Sequence, residues 1–221
     1  MSNYEIFGNV RGTSRPNYPE GVYNKVQENS GGDLLVAQAL PPKTELTRMG
    51  NTWCAHIAAA SAFTLVAALP TTRAELMLYN GEPAGGKSYV IDSVWLTTIV
   101  TTTALTPVTL LVQLVPAATM TAPTNDLTGI LFSSRSGKAA YGGYAKRALA
   151  TATCVANMWQ SVGSGTGAAT ASIATGCFAD VFGGFVVPPG AGFGINAICG
   201  TTVGASGIMG LTWSEVQLQL G

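Results

Sequence analysis

Charge is the scarcest feature of this chain. Charged residues make up 10% of its 221 residues, compared with roughly 25% in ordinary soluble domains. The 11 basic and 11 acidic residues give zero formal net charge, so no long-range field draws the chain to nucleic acid or to anionic lipid. We therefore expect neither nucleic acid nor membrane as a partner. A nearly neutral, weakly charged surface favours association, and we expect a homo-oligomer.

Long apolar runs are also missing. The most apolar stretches, residues 63–69 and 108–115, are far shorter than the roughly 20 residues of a bilayer-spanning helix. Residues 1–12 are polar and mixed in charge, without the basic and then apolar order of a secretory signal peptide. We expect neither a membrane span nor a signal peptide.

The chain also has few histidines and no closely spaced cysteines of the CxxC type. The cysteines, Cys54, Cys154, Cys177 and Cys199, are widely spaced, and His56 is the single histidine. A zinc site would have to collect its ligands from distant strands, so we expect no metal and no other cofactor. Buried, reduced thiols are the favoured interpretation, and one or two disulfides are the alternative.

What charge there is lies mostly near the N-terminus. Ten of the 22 charged residues fall within residues 1–50, among turn-forming Pro and Gly pairs and four aromatic residues. Disordered spacers are poor in aromatic residues. The sequence therefore predicts an extended N-terminal arm over residues 1–50 that docks on a neighbouring protein, followed by a β-sandwich domain over residues 51–221.

The second region is rich in short β-type runs separated by Gly, Pro, Asn and Thr. The fold class predicted is all-β, an antiparallel, jelly-roll-like β-sandwich. One short helix is allowed at residues 51–60, and the Gly-rich run 161–174 is interpreted as a loop tip. The predicted strands are residues 62–69, 75–79, 89–100, 108–115, 129–132, 147–155, 168–178, 184–187, 192–199 and 208–220.

One string matches a nucleotide-binding motif letter for letter. Residues 81–88, Gly-Glu-Pro-Ala-Gly-Gly-Lys-Ser, satisfy the P-loop pattern, in which Lys87 would reach phosphates and Ser88 would bind magnesium. A P-loop opens into a helix, whereas the residues after Ser88 are β-branched and aromatic. We therefore predict a β-hairpin, with Asn80-Gly81 as its turn signal.

Two further patterns give weaker indications of a cofactor site or a catalytic site. Residues 192–197, Gly-Phe-Gly-Ile-Asn-Ala, fit a loosened dinucleotide fingerprint but lie in a β-type context. Cys54 and His56 could share a strand face, with Asp92, Asp126 or Asp180 orienting the imidazole. A lone histidine in an Ala-rich segment is more typical of a structural residue, so no catalytic residue is assigned and an enzyme is not expected.

A small basic cluster lies beside two tyrosines. Arg135, Lys138 and the pair Lys146-Arg147 flank Tyr141 and Tyr144, and basic residues next to aromatic ones are the elements of single-strand stacking surfaces. The cluster is too small for such a surface. A solvated turn-rich loop is the preferred interpretation, and a loop that contacts a partner is the alternative.

Several stretches carry a resemblance to a known class of protein. They are residues 68–72, Ala-Leu-Pro-Thr-Thr; 78–82, Leu-Tyr-Asn-Gly-Glu; 86–92, Gly-Lys-Ser-Tyr-Val-Ile-Asp; 185–190, Phe-Val-Val-Pro-Pro-Gly; and 213–216, Trp-Ser-Glu-Val. With the low charge and the Gly/Ala/Thr-rich β body, the chain resembles the small jelly-roll proteins of tailed-phage virions, the capsid decoration, cement and head-fibre class. The resemblance implies a homotrimer on a virion surface that contacts the major capsid protein or other virion proteins.

The expected function is therefore that of a structural virion component assembled in the host cytoplasm. A capsid decoration or cement protein, which stabilises a phage head by binding between coat subunits, is the first hypothesis. A receptor- or carbohydrate-binding knob of a head or tail fibre is the alternative, since jelly rolls also carry lectin functions.

Overall fold

The computed structural model describes residues 7–8, 24–25, 42–57, 62–100, 106–123, 132–133, 141–167, 176–200 and 206–218. The chain divides into two compact units, Met1–Pro42 and Lys43–Gly221. In the first unit the described residues form an antiparallel pair of two-residue strands. Most of the arm predicted over residues 1–50 lies outside the described residues.

The described residues form one helix and thirteen strands, numbered in chain order. They are β1 Phe7–Gly8, β2 Asn24–Lys25, α1 Pro42–Met49, β3 Thr52–His56, β4 Phe63–Thr64, β5 Ala74–Asn80, β6 Ser88–Val100, β7 Thr106–Val115, β8 Phe132–Ser133, β9 Ala145–Thr151, β10 Gln160–Gly167, β11 Gly176–Val187, β12 Gly192–Cys199 and β13 Ser206–Val216.

The helix lies before the position where the sequence predicts one. Helix α1 begins at Pro42, whose fixed φ suits a first helical turn, and ends before Gly50, which has a φ of 76°. The Gly50 and Asn51 amides donate to the last carbonyls of the helix, as in a Gly-terminated C-cap. Two predictions are therefore wrong: residues 42–49 are not extended, and the helix allowed at residues 51–60 is not formed at residues 52–56, which pair with β13. Residues 58–60 lie outside the described residues.

Two antiparallel sheets make up the second unit. Sheet I has the order β11-β6-β13-β3-β8, with β4 also paired to β13, and sheet II has the order β10-β7-β12-β5-β9. When the eight principal strands β3, β5, β6, β7, β10, β11, β12 and β13 are numbered 1–8, the two sheets read 6-3-8-1 and 5-4-7-2. This is the jelly-roll order. The predicted fold class, an all-β jelly-roll-like sandwich, is confirmed.

The main core lies between the inner faces of the two sheets. Strand β13 shows why: Met209, Leu211 and Trp213 alternate along it and are fully buried, because every second side chain of a strand points to the same face. Each such side chain contributes about 1.5–3 kcal/mol through burial. The largest fully buried side chains are Trp213, Tyr89, Phe193, Ile57, Leu65, Leu76, Met77, Leu78, Ile91, Leu96 and Leu110.

A second, smaller core covers the outer face of sheet II. Met77 of β5 and Val115 of β7 pack there with Cys154, Met120 and Trp159, which come from the segments that follow β7 and β9. These segments are hydrogen-bonded to the sheet. For example, Gln113 donates to the Val155 carbonyl over 2.8 Å and accepts from the Val155 amide over 2.6 Å.

The predicted strands are confirmed for β5, β6, β7, β9, β12 and β13, to within a few residues. The Gly-rich loop tip predicted at residues 161–174 is wrong for residues 161–167, which lie in β10 and pair with β7. Residues 62–69 contain only the short β4 and an isolated bridge at Val66. Residues 176–178 and 184–187 belong to one strand, β11. Residues 129–131 and 168–175 lie outside the described residues.

A glycine substitution in sheet I tests the packing. A Cβ at Gly210 would overlap the Trp95 indole and would lie 2.8 Å from the Ala55 carbonyl oxygen. We expect Gly210→Ala to lower the free energy of unfolding by about 1–3 kcal/mol, because overpacking forces the ring and the backbone apart. The control is Gly142→Ala, where a Cβ meets nothing within 4 Å. Equal denaturant midpoints for the two variants would contradict the packing described.

Candidate functional site

The P-loop-like string connects the two sheets. Strand β5 belongs to sheet II, strand β6 belongs to sheet I, and β6 begins at Ser88. The segment therefore leads into a strand and not into the helix that a P-loop needs. The predicted β-hairpin is also wrong, because β5 pairs with β12 and β9 whereas β6 pairs with β13 and β11. The connection is an arch between sheets.

Asn80 closes the base of this arch. Its buried side-chain amide donates to the carbonyl oxygens of Lys87, over 2.9 Å, and Val187, over 2.8 Å, and its Oδ1 accepts from the Glu82 amide. The Asn-Gly pair that indicated a hairpin turn therefore holds the two ends of the arch together. Ser88 is 1% exposed, and its hydroxyl has no hydrogen-bond partner among the described residues, so it is not presented to solvent for a magnesium ion.

Lys87 is paired with a buried carboxylate. Its Nζ lies 3.1 Å from Glu215 Oε2, and Glu215 is 4% exposed. The other carboxylate oxygen accepts from the Tyr141 hydroxyl over 2.7 Å. That hydroxyl accepts from the Ala145 amide and lies 3.4 Å from the Tyr89 hydroxyl. We call Lys87, Tyr89, Tyr141 and Glu215 the Glu215 cluster.

The cluster is enclosed by aromatic rings. Trp53 meets Tyr141 edge-on with ring centroids 4.6 Å apart, and Trp213 lies 6.1 Å from Tyr89 and 6.4 Å from Tyr141. Burial raises the pKa of both tyrosines, and the nearby Glu215 carboxylate adds to the rise. A hydrogen-bonded acid in such a setting fixes the surrounding segments. This geometry suits a structural role, in which Glu215 holds the segments of Lys87 and Tyr141 together.

The second fingerprint also has a packing role. Residues 192–197 lie within strand β12. A Cβ at Gly192 would lie 2.7 Å from Met120 Sδ, and one at Gly194 would lie 2.8 Å from Cys154 Sγ. These two glycines therefore make room for the smaller core on sheet II rather than for a pyrophosphate.

Cys54 and His56 both lie on strand β3, two residues apart. His56 stacks on Trp95 with ring centroids 6.4 Å apart. Burial raises the pKa of the Cys54 thiol, whereas a nucleophilic cysteine needs a lowered pKa. Burial, with the Arg147 charge adding to it, lowers the pKa of His56. This pair is not poised for thiolate chemistry.

The acids suggested as partners of His56 are engaged elsewhere. Asp92 accepts from the Ser214 hydroxyl over 2.6 Å and lies 3.3 Å from Lys43 Nζ. Asp180 lies 3.4 Å from the same amine. Both carboxylates therefore bind helix α1 to sheet I, and Asp126 lies outside the described residues.

The cysteines are thiols. No disulfide joins Cys54, Cys154, Cys177 and Cys199, and all but Cys54 are buried. Burial raises the pKa of Cys154 to about 12 and raises that of Cys177. Among the described residues, no group of three or more His, Cys, Asp and Glu side chains could hold a metal ion.

The structure divides the basic cluster. Arg147 donates to the His56 carbonyl over 2.8 Å, whereas its neighbour Lys146 lines a pocket on the other side of β9, because adjacent residues of a strand point to opposite faces. Arg135 and Lys138 lie outside the described residues. The pocket has a volume of about 270 Å³ and is lined by Tyr79, Gly81, Ala122, Gly143, Tyr144, Ala145 and Lys146.

No protein-family model matches this chain, and the curated proteins contain no match to it. No helix in the described part of the chain is long and apolar enough to cross a membrane. The assignment of a function therefore depends on the surfaces of the molecule.

Among the described residues, the most exposed aromatic side chains lie on strand β11. Phe178 is 66% exposed and Phe182 is 77% exposed, and β11 is the terminal strand of sheet I. Sequence reasoning did not identify them as a surface. The signal was present for Phe178, since it lies two residues before Asp180 and alternation places both side chains on the solvent side. Phe182 lies in the register break between Asp180 and Phe185 and has a φ of 46°, which alternation does not predict.

The pKa shifts of the buried tyrosines predict a loss of stability at alkaline pH. The folded-state pKa values of Tyr89 and Tyr141 lie above the ordinary value of 10.0, so the unfolded chain releases these protons first. Their contribution is complete below pH 10 and is lost as the pH rises further. Chemical denaturation of Tyr89→Phe/Tyr141→Phe should show a shallower alkaline decline than the wild type or Tyr144→Phe. Identical slopes would disprove the assignment.

The engagement of Lys87 predicts the response to nucleotide. Lys87→Met should lower the free energy of unfolding by about 1–2 kcal/mol, since it leaves the buried Glu215 without its cation, while the 44% exposure of the Lys87 side chain limits the loss. Addition of Mg-ATP should not shift the melting temperature of the wild type or that of Lys87→Met. The control variant is Arg73→Met. If Mg-ATP raises the melting temperature of the wild type and Lys87→Met abolishes this rise, residues 81–88 bind nucleotide after all.

Proposed function

We propose that this protein is a structural component of a tailed-phage virion, a decoration or cement protein that binds as a homotrimer between coat subunits of the head. The single observation that carries the proposal is the pair of exposed phenylalanines on strand β11. Clusters of exposed aromatic side chains on otherwise soluble domains mark surfaces that other proteins cover.

The position of these side chains supports association with protein rather than with a small ligand. Strand β11 is a sheet edge, and its neighbour across the sandwich, β10, is the edge of the other sheet. Edge strands present unpaired backbone groups that another chain readily uses. Among the described residues, β10 and β11 are thus the terminal strands of their sheets on one side of the sandwich, which also carries exposed Phe178 and Phe182.

The charge of this side is small. Asp180 is paired with Lys43, and the Lys43 amine lies 5.4 Å from the centroid of the Phe182 ring. Asp92 shares the same amine, so these three groups together carry one net negative charge, which leaves only a weak field against an approaching chain. Jelly-roll domains recur in viral shells, and a symmetric oligomer buries the same surface in every copy.

The test compares the mass of the protein in solution with that of β11 variants. Light scattering should give about three times the chain mass of 22.7 kDa. Phe178→Ser/Phe182→Ser should shift the mass towards the monomer, because the exposed rings supply the apolar area that association buries. The matched control is Met158→Ser, which replaces a side chain that is 62% exposed in the segment covering sheet II.

A stable wild-type monomer at micromolar concentration would contradict the trimer. A trimer unchanged by the double substitution would show that the interface lies elsewhere on the sandwich. Circular dichroism melting of each variant establishes that the fold is retained, so that a lost trimer is not confused with a lost fold.

A further inference from the structure

The pocket beside strand β9 is amphipathic, and we call it the Tyr144 pocket. Tyr79 of β5 and Lys146 of β9 face each other in register across the two strands, and Tyr144 comes from the segment just before β9. These three residues and four small residues line a volume of about 270 Å³. It is thus a small cavity with two aromatic rings and one cation.

The walls of this pocket are held in place. A Cβ at Gly81 would lie 2.5 Å from the Tyr144 carbonyl oxygen, and one at Gly143 would overlap the Tyr141 ring, so both glycines permit a close approach of the backbones. Tyr141, three residues before Tyr144, is anchored to Glu215. Tyr144 is nevertheless 59% exposed. The fold thus presents an exposed aromatic ring on a fixed segment, which is typical of recognition surfaces.

Among the described residues, the polar groups of the pocket have no side-chain partners. Within the described part of the chain, the Tyr79 and Tyr144 hydroxyls and the Lys146 amine make no hydrogen bond or ion pair with another side chain. None of the described residues that line the pocket is acidic. The nearby Glu82 carboxylate lies beside Gly86 in its own loop. The pocket therefore offers a cation and two phenols that its own residues do not neutralise.

We propose that the Tyr144 pocket binds a single pyranose ring that carries a carboxylate, of the hexuronic acid type. Aromatic rings supply flat apolar faces for the C–H groups of a sugar, the phenols pair with its hydroxyls, and Lys146 pairs with its carboxylate. The volume lies just below the roughly 300–1,000 Å³ of sites for drug-sized ligands, so it accommodates one ring rather than an oligosaccharide. This activity goes beyond the structural role proposed above and does not depend on it.

The probe is the methyl glycoside of glucuronic acid, and the neutral comparison is methyl glucoside. Saturation-transfer NMR should show transfer to the ring protons of the glucuronide, and titration should give weaker binding of the glucoside. Tyr144→Ala should weaken glucuronide binding by about tenfold or more through loss of the stacking face. Lys146→Met should reduce the affinity for the glucuronide to that for the glucoside.

Two variants serve as controls. Phe178→Ala removes an exposed ring outside the pocket, and Arg73→Met removes an exposed cation outside it; neither should change the binding. Absence of saturation transfer from the wild type to either sugar would overturn the proposal. Glucuronide binding that is unchanged in Tyr144→Ala would also overturn the proposal. Equal affinity for the two glycosides would show that the pocket does not recognise the carboxylate.

Discussion

The end of the sandwich depends on one buried carboxylate. An acid that is 4% exposed is stable only when partners satisfy it, and Glu215 obtains them from two distant parts of the chain. Lys87 comes from the arch between β5 and β6, and Tyr141 comes from the segment before β9. The Glu215 side chain of β13 thereby fixes both the arch that connects the two sheets and the segment that leads into β9 at the edge of sheet II.

This constraint gives the two sides of the molecule different characters. On the side that contains Glu215, the anchored Tyr141 positions Tyr144 and Lys146 around a pocket whose shape the backbone sets. On the opposite side, strands β10 and β11 are the terminal strands of their sheets among the residues that the structure describes, and Phe178 and Phe182 are exposed. A rigid small site suits a small ligand, whereas an open apolar edge suits another protein chain.

The sequence predicts the strands well where β-branched residues alternate, as in β6, β7 and β13, because local pattern and burial agree there. It fails at β3 and β10, where pairing with distant strands overrides an Ala-rich and a Gly-rich composition. The arch at residues 81–88 was mistaken for a hairpin because a turn signal does not reveal which sheet the next strand joins. In the pocket, Tyr144 and Lys146 stand close in sequence, but Tyr79 joins them only through the β5–β9 pairing.

We propose that the protein is a shell component that associates through the β11 side of its sandwich. Electron cryomicroscopy of the intact parent particle tests it most directly. We expect threefold density of jelly-roll size at junctions between coat subunits, with β11 of each copy facing another chain. Particles that lack the protein, or that display it with Phe178 and Phe182 facing solvent, would contradict the account.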